Sequence, residues 1–354
     1  MAYTTINKPS EYFNTVLWTG NSNLDNANQT ITGVGFKPDL FWTKIRNAAD
    51  EHHLRDIHQG NTSRIRTSSS AAANTSVCSV VPNSDGFVIT GDDGLEFNQT
   101  GNNYVTWNWR GAGSTSSNTN GSITSTVSAN TTSGFSIVNY TGTASNATVG
   151  HGLGAKPSMI IAKNLVTNGE DWAVYHKSLG GYQYYLKLNG TTVALTNTNR
   201  WNAEPDTNVF NVGAVAETNG SGANQIAYVF AEKKGFSKCG IYSGNASSSS
   251  PPFVYTGFKP SFIMVKIAST GGVDTGGWVM YDNQRYPNNL SNSPVLFANF
   301  SEAESDGYNL EMFSNGFRFN STSVTVNGSG NTYIYYAVAE QPLVGTNGIP
   351  ATAR

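Results

Sequence analysis

The sequence predicts an all-β protein made of three tandem, related antiparallel β-sandwich units of the jelly-roll or lectin-like kind, with a short extended C-terminal arm. Three observations support this prediction. One turn motif recurs three times at a domain-sized spacing, Asn-Gly and Asp-Gly turn signals recur at short intervals, and no window has a convincing helical period. The composition agrees, because aromatic residues make up 12% of the chain, charged residues only 12%, and glycine 37 of the 354 residues.

The recurring motif is a Gly-Xaa-Lys-Pro turn followed by an apolar run. Its copies begin at Gly35, Gly154 and Gly257 and read GFKPDLFWTK, GAKPSMIIAK and GFKPSFIMVK. The spacing of roughly 100 residues is that of a domain, not of a solenoid repeat. Proline at the first residue of a strand costs no ladder hydrogen bond, and a continuous apolar run is typical of a strand covered on both faces. We therefore expect a central strand after each turn.

Other segments keep the same order in each copy. A strand that ends in an aromatic residue and glycine precedes the turn, as at 17–20, and an aromatic strand closes each copy, as at 101–109. After the turn, the segment 172–175 matches 278–281, while the first copy offers a looser match at 53–56. Such agreement in order predicts a triplicated unit.

These recurrences set the predicted boundaries. The segment after the first copy is rich in Ser, Thr and Gly, which is typical of a linker, and the end of the chain lacks strand periodicity. An ordered arm of that kind is expected to be held by a neighbouring subunit. The predicted divisions are repeat 1 with an N-terminal segment at 1–111, a linker at 112–134, repeat 2 at 135–236, repeat 3 at 237–341 and the arm at 342–354.

Charge and hydropathy exclude several classes of protein. The net charge is −2 and the basic residues are scattered, so no basic patch for nucleic acid is predicted. The longest apolar runs are strand-length, which argues against membrane insertion, and no apolar stretch follows Met1–Thr5 as in a signal peptide. Cys78 and Cys239 are predicted to be buried free thiols of a protein made in a reducing cytoplasm.

Two polar clusters contain His, Asp or Glu, the residue types that bind metal ions. In the segment 51–58, the adjacent His52 and His53 point to opposite faces of a strand, so we interpret the segment as a solvated strand or loop. The segment 92–94, together with Glu96, offers oxygen ligands but not the spacing of an EF-hand, so we interpret it as a turn. No metal and no cofactor are predicted.

The sequence predicts no enzyme and no catalytic residue. The Gly-Ser-Gly segments at 220–222 and 328–330 lack the spacing of a nucleophile elbow. A glycosidase pair stays open, since its two carboxylates can come from distant strands, but we expect Asp171 and Asp282 to be surface acids.

Aromatic side chains raise the possibility of glycan binding. Trp107 and Trp109 alternate with polar residues and so lie on one face of a strand, and Tyr182, Tyr184 and Trp201 are further candidates in the second copy. Core packing is the favoured interpretation of Trp107 and Trp109, because positions that recur in all three copies serve the fold.

Several segments together resemble a repeat family found in structural proteins of marine tailed bacteriophages, including those of cyanobacteria and other ocean bacteria. That family is described mostly as a domain of unknown function in tail-fibre-like or other virion proteins. The first copy departs from its pattern at 51–53, where the other copies carry Trp-Xaa-Xaa-Tyr. The segments that carry the resemblance lie at 5–8, 12–15, 34–40, 84–87, 231–238, 342–347 and 351–354.

The resemblance implies a non-enzymatic structural protein of the virion surface, made in the host bacterial cytoplasm and displayed as a tail fibre, spike or capsid decoration. Its expected partners are other virion proteins, further copies of itself in a homo-oligomer, and host surface polysaccharide during attachment. No catalytic residue carries over from the family. Two alternatives stay open: a carbohydrate-binding module for host glycans and, less favoured, a polysaccharide depolymerase.

Overall fold

A computed structural model describes residues 3–21, 28–91, 96–269, 276–287, 289, 292–345 and 348. In these residues nearly all regular structure is antiparallel β-strand, and the one α-helix, α1, covers only Ala216–Asn219. The prediction of an all-β protein is confirmed. No helix in the described ranges is long and apolar enough to cross a membrane.

The first third of the chain forms a six-stranded sheet covered on one face by a three-stranded sheet. Trp18 and Phe41 of the large sheet pack against Phe87 of the small sheet, with ring centroids 6.5 and 5.0 Å from that of Phe87. The strands are β1 (Phe13–Thr19), β2 (Asn28–Ile31), β3 (Leu40–Ile45), β4 (His53–Asp56), β5 (Ser63–Arg66), β6 (Asn74–Thr75), β7 (Ser79–Asn83), β8 (Gly86–Thr90) and β9 (Asn103–Trp109). The sheet orders are β1-β9-β3-β4-β5-β6 and β2-β8-β7.

The middle third forms an eight-stranded sheet that packs on a two-stranded one. Phe210 of the small sheet contacts Tyr140 of the large one and Trp201 of the connection, with ring centroids 5.9 and 6.5 Å away. The strands are β10 (Ser116–Asn118), β11 (Ser125–Asn130), β12 (Phe135–Thr141), β13 (Ala147–Gly150), β14 (Met159–Asn164), β15 (Ala173–His176), β16 (Tyr184–Lys187), β17 (Leu195–Thr196), β18 (Val209–Val212) and β19 (Asn224–Phe230). The orders are β10-β11-β12-β19-β14-β15-β16-β17 and β13-β18.

The last third again pairs a six-stranded sheet with a three-stranded one. Phe317 of the small sheet packs on Tyr335 of the large sheet, with centroids 5.4 Å apart. The strands are β20 (Ser237–Ser243), β21 (Val254–Tyr255), β22 (Phe258–Ser269), β23 (Val279–Asp282), β24 (Pro294–Phe297), β25 (Ser305–Asp306), β26 (Leu310–Phe313), β27 (Gly316–Phe319) and β28 (Thr332–Pro342). The orders are β20-β28-β22-β23-β24-β25 and β21-β27-β26.

The three large sheets share one connectivity. In each, the strand after the Lys-Pro turn (β3, β14 or β22) lies between the closing aromatic strand (β9, β19 or β28) and the next strand of the copy (β4, β15 or β23). The two shorter central strands, β3 and β14, are buried at every position, as expected for strands covered on both faces. Pro38 and Pro157 precede their strands, whereas Pro260 lies inside β22 at a shift of register with β28.

The pairing register corrects the sequence match of the first copy by one residue. In the first copy, the residue before the motif lysine pairs with His53. In the other two copies, the residue before the motif lysine pairs with the residue that directly follows Trp172 or Trp278. His52, and not His53, therefore occupies the position of the two tryptophans.

The second faces of the three large sheets meet in one common core. Phe13 of the first sheet lies 5.4 Å from Phe262 of the third, Trp109 of the first lies 6.4 Å from Phe230 of the second, and Phe230 lies 4.9 Å from Tyr336 of the third, between ring centroids. A single buried cluster contains residues of all three sheets. The sequence did not predict this shared core, since separate tandem sandwiches would each bury only a core of their own.

The predicted linker at 112–134 is part of the second sheet. β11 pairs with β12 along its whole length, and β10 pairs with β11. Ser125, Val127 and Ser128 of β11 are buried. The linker prediction was wrong here because a Ser/Thr-rich strand needs little apolar surface when it adds its backbone hydrogen bonds to the edge of an existing sheet.

The glycine that follows each aromatic strand marks a close approach of two backbones. A Cβ atom on Gly20, Gly142 or Gly244 would lie 2.1, 2.2 or 2.4 Å from a carbonyl oxygen of the facing turn. Only glycine fits at such a distance, which explains why the residue recurs in all three copies.

Three further sequence predictions concern the two cysteines, the C-terminal arm and the segment 92–94. Cys78 and Cys239 are buried and free, as predicted. β28 ends at Pro342, and most of the predicted arm lies outside the described residues. The segment 92–94, which the sequence predicts to be a turn, also lies outside them.

Candidate functional site

The three motif lysines form the first set of contacts between sheets. Lys44, Lys163 and Lys266 are fully buried near the ends of β3, β14 and β22. We call the parts of the chain that hold β1–β9, β10–β19 and β20–β28 the first, second and third units. Each Nζ donates to a backbone carbonyl of another unit: Lys44 to Ser301 over 3.2 Å, Lys163 to Ser70 over 3.0 Å and Lys266 to Thr191 over 2.7 Å. The contacts therefore run from the first unit to the third, from the second to the first, and from the third to the second.

Burial changes the acidity of two of these lysines. Removal from water disfavours the charged ammonium and lowers the pKa of Lys44 and of Lys163 to about 8, although neighbouring carboxylates oppose the shift. Such a lysine keeps donors for the carbonyls it contacts in either protonation state. The sequence shows the signal, a lysine at the end of an apolar run in every copy, but its role at the junctions was missed.

A second set of contacts comes from the residue before β15 or β23. Trp172 Nε1 donates to the Arg66 carbonyl over 2.8 Å, and Trp278 Nε1 donates to the Lys187 carbonyl over 2.9 Å. His52 holds this position in the first copy and accepts a hydrogen bond from Trp42 Nε1 over 2.9 Å within its own unit.

A third set lies where β4, β15 and β23 end. Asp56 accepts a hydrogen bond from Tyr228 Oη of the second sheet over 2.8 Å, and His176 Nε2 lies 3.2 Å from the Tyr335 carbonyl of the third. Burial raises the pKa of Asp56 and lowers the pKa of His176 to about 4. At the remaining junction, Asp282 accepts a hydrogen bond from Trp107 Nε1 of the first sheet.

The junction between the third and first units contains a charge network that is buried at Arg285 and Asp282 and partly exposed at Arg46 and Glu304. Arg285 bonds Asp282 through Nε over 2.6 Å and Glu304 through Nη1 over 3.0 Å. Arg46 of the first unit bonds both oxygens of Glu304, over 3.0 and 2.8 Å. Burial alone would raise the pKa of Glu304, but the hydrogen bonds and charges of the two arginines hold it below its ordinary value. The network therefore joins the first unit of the chain to the last.

Three of the five proposed glycan-binding aromatics lie in the interior. Trp107, Trp109 and Trp201 are at most 3% exposed, so their ring faces are covered by protein and cannot stack on a sugar. Trp107 and Trp109 belong to the shared core, which agrees with the favoured interpretation, while Trp201 belongs to the core of the second unit. Tyr182 and Tyr184 are half-buried.

Tyr184 lines an open cleft between the second and third units. The cleft has a volume of about 400 Å³ and is walled by apolar side chains such as Leu179 and Ile241 and by the hydroxyls of Ser269 and Thr332. Ile241 is half exposed there. No charged residue lines the cleft in the described chain.

Two expectations about polar residues were wrong. His52 and His53 are buried rather than solvated, because the His52 ring stacks on Trp107 and the His53 ring packs against Phe97. Asp282 is also fully buried, because the Trp107 indole and the Arg285 guanidinium compensate its charge. Asp171 stays partly exposed, in contact with Lys187 and Asn189. Among the described residues, no group of three or more His, Cys, Asp or Glu side chains is placed to hold a metal ion.

The lysine that ends the apolar run of each copy thus lies inside the molecule, where it joins sheets, and not around an open cleft. No curated protein matches the chain. One family model, a domain of unknown function (DUF7483), matches residues 8–342. The match therefore includes all three large sheets and ends with β28. The chain therefore belongs to the DUF7483 family.

Proposed function

We propose that the chain is a non-enzymatic structural protein of a bacteriophage virion surface, displayed as a tail fibre, spike or capsid decoration. In this role it is made in the host bacterial cytoplasm and assembles with other virion proteins and with further copies of itself. One observation supports the proposal above others: buried contacts join each large sheet to both of the others in a closed ring.

The closed ring supports a mechanical role because it resists separation of the sheets. Pulling one sheet away would expose apolar core and break buried hydrogen bonds at two junctions at once. The recurring buried lysines are engaged in these junctions, which leaves Asn, Ser and Thr side chains on the surface for contact with neighbours. The sequence resemblance to repeats of marine phage virion proteins supplies the biological setting.

Immunogold electron microscopy tests the location. Antibody raised against the purified chain is applied to gradient-purified particles of the phage whose genome encodes it, with an antibody against an unrelated protein as the control. We expect specific gold at one part of the particle, and the labelled part distinguishes a fibre from a head decoration. Absence of the chain from particles by mass spectrometry, with the chain present in the infected-cell lysate, would refute the proposal.

Carbohydrate binding for host recognition is a second candidate, favoured by the position of Tyr184. Its half-buried ring lines a cleft whose other walls are apolar groups and hydroxyls, which is a suitable surface for a sugar. Tyr182 lies two residues away and does not line this cleft among the described residues.

Glycan-array binding tests this second candidate. We expect Tyr184→Ala to abolish any array signal, while Tyr255→Ala, which removes another exposed tyrosine from the third unit, leaves the signal unchanged. Equal loss in both variants, or no bound glycan at all, would count against binding in the cleft.

A further inference from the structure

The first unit contains a cavity between its two sheets. Its volume is about 220 Å³, and Phe41 and Val80 form part of its apolar wall. Lys37, Gly60 and Asn61 line it and are themselves exposed, so the cavity opens to solvent on their side. This volume is several times the roughly 30 Å³ of one liquid water and below the roughly 300–1,000 Å³ of sites for drug-sized ligands. It suits a single sugar ring.

The cavity lies where the first unit departs from the other two. Arg55 of β4 lines it, whereas the equivalent strand positions in β15 and β23 hold Tyr175 and Tyr281, whose rings pack inside their own sandwiches. Arg55 is buried and donates through Nη1 to the carbonyls of Asn61, over 2.6 Å, and Cys78, over 2.7 Å. The arginine thus fixes Asn61 at the mouth and the start of β7.

Asp39 supplies an acceptor that the protein leaves unused. The residue is 1% exposed and lines the cavity. Its Oδ2 accepts hydrogen bonds from the backbone N–H groups of Gly111, over 2.6 Å, and Gly113, over 3.1 Å. Its Oδ1 has no hydrogen-bond partner within the described residues. A buried acceptor without a partner is unfavourable, and a ligand hydroxyl that donates to it would remove that cost.

The formal charges around the cavity balance. Lys37 and Arg55 bring two positive charges, and Asp39 and Asp56 bring two negative ones. Asp56 has no free acceptor to offer, because its two oxygens already accept hydrogen bonds from the His58 and Gln59 backbone and from a tyrosine. A balanced site favours a neutral ligand over an ion, and the apolar wall suits the C–H face of a sugar.

We propose that this cavity of the first unit binds a neutral, polyhydroxylated molecule of monosaccharide size, with one ligand hydroxyl donating to Asp39 Oδ1. The site is separate from the cleft at Tyr184 and does not depend on the role of the chain in a virion.

Saturation-transfer NMR on the full chain tests this site with glucose, galactose and mannose as neutral probes. Glucosamine and glucuronate serve as their charged counterparts. We expect at least one neutral sugar to bind, with a dissociation constant on the order of 1 mM. Asp39→Asn keeps an oxygen for the two glycine N–H groups but turns the free acceptor into a donor, so affinity should fall by about tenfold or more. Ile57→Trp fills the cavity from a half-buried lining position and should abolish binding.

Asp85→Asn is the matched control for the charge change. Asp85 also accepts hydrogen bonds from two glycine N–H groups, those of Gly33 and Gly35, and lies outside the cavity lining. This variant should bind like the unchanged protein. The proposal is overturned by the absence of binding for all three neutral sugars, by a charged sugar that binds more tightly than the neutral ones, or by binding that survives both Asp39→Asn and Ile57→Trp.

Discussion

The Trp107 indole donates its Nε1–H to the Asp282 carboxylate over 2.9 Å, and this bond joins the first sheet to the third across 175 residues of sequence. Both side chains are fully buried. The other two junctions connect sheets that follow one another along the chain, so this one alone joins the first sheet to the last. It is therefore one of the contacts that close the ring of sheets without help from the covalent chain, together with those of Lys44 and Arg46.

The closing hydrogen bond should contribute measurably to stability. Trp107→Phe keeps an aromatic ring in the shared core but leaves one donor of the buried Asp282 carboxylate missing. We expect the free energy of unfolding to fall by about 1–3 kcal/mol beyond the loss from reduced ring volume, because a buried charged acceptor loses a partner. Urea denaturation followed by circular dichroism measures this change.

Trp201→Phe provides the matched control for the lost ring volume. Trp201 is equally buried, yet its Nε1 has no hydrogen-bond partner among the described residues. The same substitution there removes the same atoms and no hydrogen bond. If the two variants lose equal stability, the Trp107–Asp282 bond makes no net contribution to the ring.

Lys44 and Lys163 should add stability as the pH is raised from 8 to 10. The folded-state pKa of Lys44 and of Lys163 is about 8, while an unfolded lysine titrates near 10.4. Between these values the unfolded chain binds more protons than the folded one, so the free energy of unfolding increases with pH. We expect about 1–2 kcal/mol for each lysine, measured by urea denaturation at each pH. Cys239 and the buried tyrosines act in the opposite sense in this range, because burial raises their folded-state pKa while in the unfolded chain they ionise at about pH 8.5 and 10. The contribution of the two lysines is therefore the difference in pH dependence between the unchanged protein and a variant that lacks them.

The double variant Lys44→Met, Lys163→Met should lack this contribution, because neither of the two ammonium groups with a lowered pKa is left to deprotonate. Lys156→Met changes an exposed lysine, 52% accessible at its side chain, and should leave the pH dependence intact. The same pH dependence of stability in the unchanged protein and in the double variant would contradict the lowered pKa of these two lysines.

The shared core implies that the units do not fold alone. Phe262 of the third unit contacts Trp107 and Trp109 of the first, with ring centroids 6.0 and 5.9 Å apart. The fragment 1–236 lacks these contacts and should show no cooperative unfolding and an expanded hydrodynamic radius. Mixing it with the fragment 237–354 should restore a folded complex on size-exclusion chromatography. Cooperative unfolding of 1–236 by itself would mean that the first two units form an independent domain.

Local features of this fold were predictable from the sequence, while its packing was not. Turn dipeptides and apolar runs gave the all-β class and the central strands, since both depend on local backbone preference. The segment around β11 was predicted to be a linker because its side chains are polar, and its pairing depends on β12, which lies outside the segment. A charged side chain such as Lys44 or Asp282 is expected at the surface unless it has buried partners. The partners of both residues come from another unit, whose position cannot be inferred from the local sequence.

The candidate sites follow the same division. The recurrence of Trp107 and Trp109 favoured core packing, and the structure places both inside. Trp201 was a glycan-binding candidate, and its burial depends on Phe210 of the small sheet, whose proximity is not visible in sequence. Asp39 is a serine position in the other two copies, so comparison of the copies could have marked it as specific to the first unit.

The glycine after each aromatic strand should not tolerate a methyl group. In Gly142→Ala the new Cβ would lie 2.2 Å from the Gly220 carbonyl oxygen, so one of the two backbones must move. We expect a loss of about 1–3 kcal/mol in the free energy of unfolding, the range typical of overpacking. Gly307→Ala is the control, because the nearest atom to its Cβ is a Val295 side-chain carbon at 3.4 Å, an ordinary contact. A Gly142→Ala protein as stable as Gly307→Ala would show that the facing turn yields easily, and the recurrence of this glycine would then need another cause.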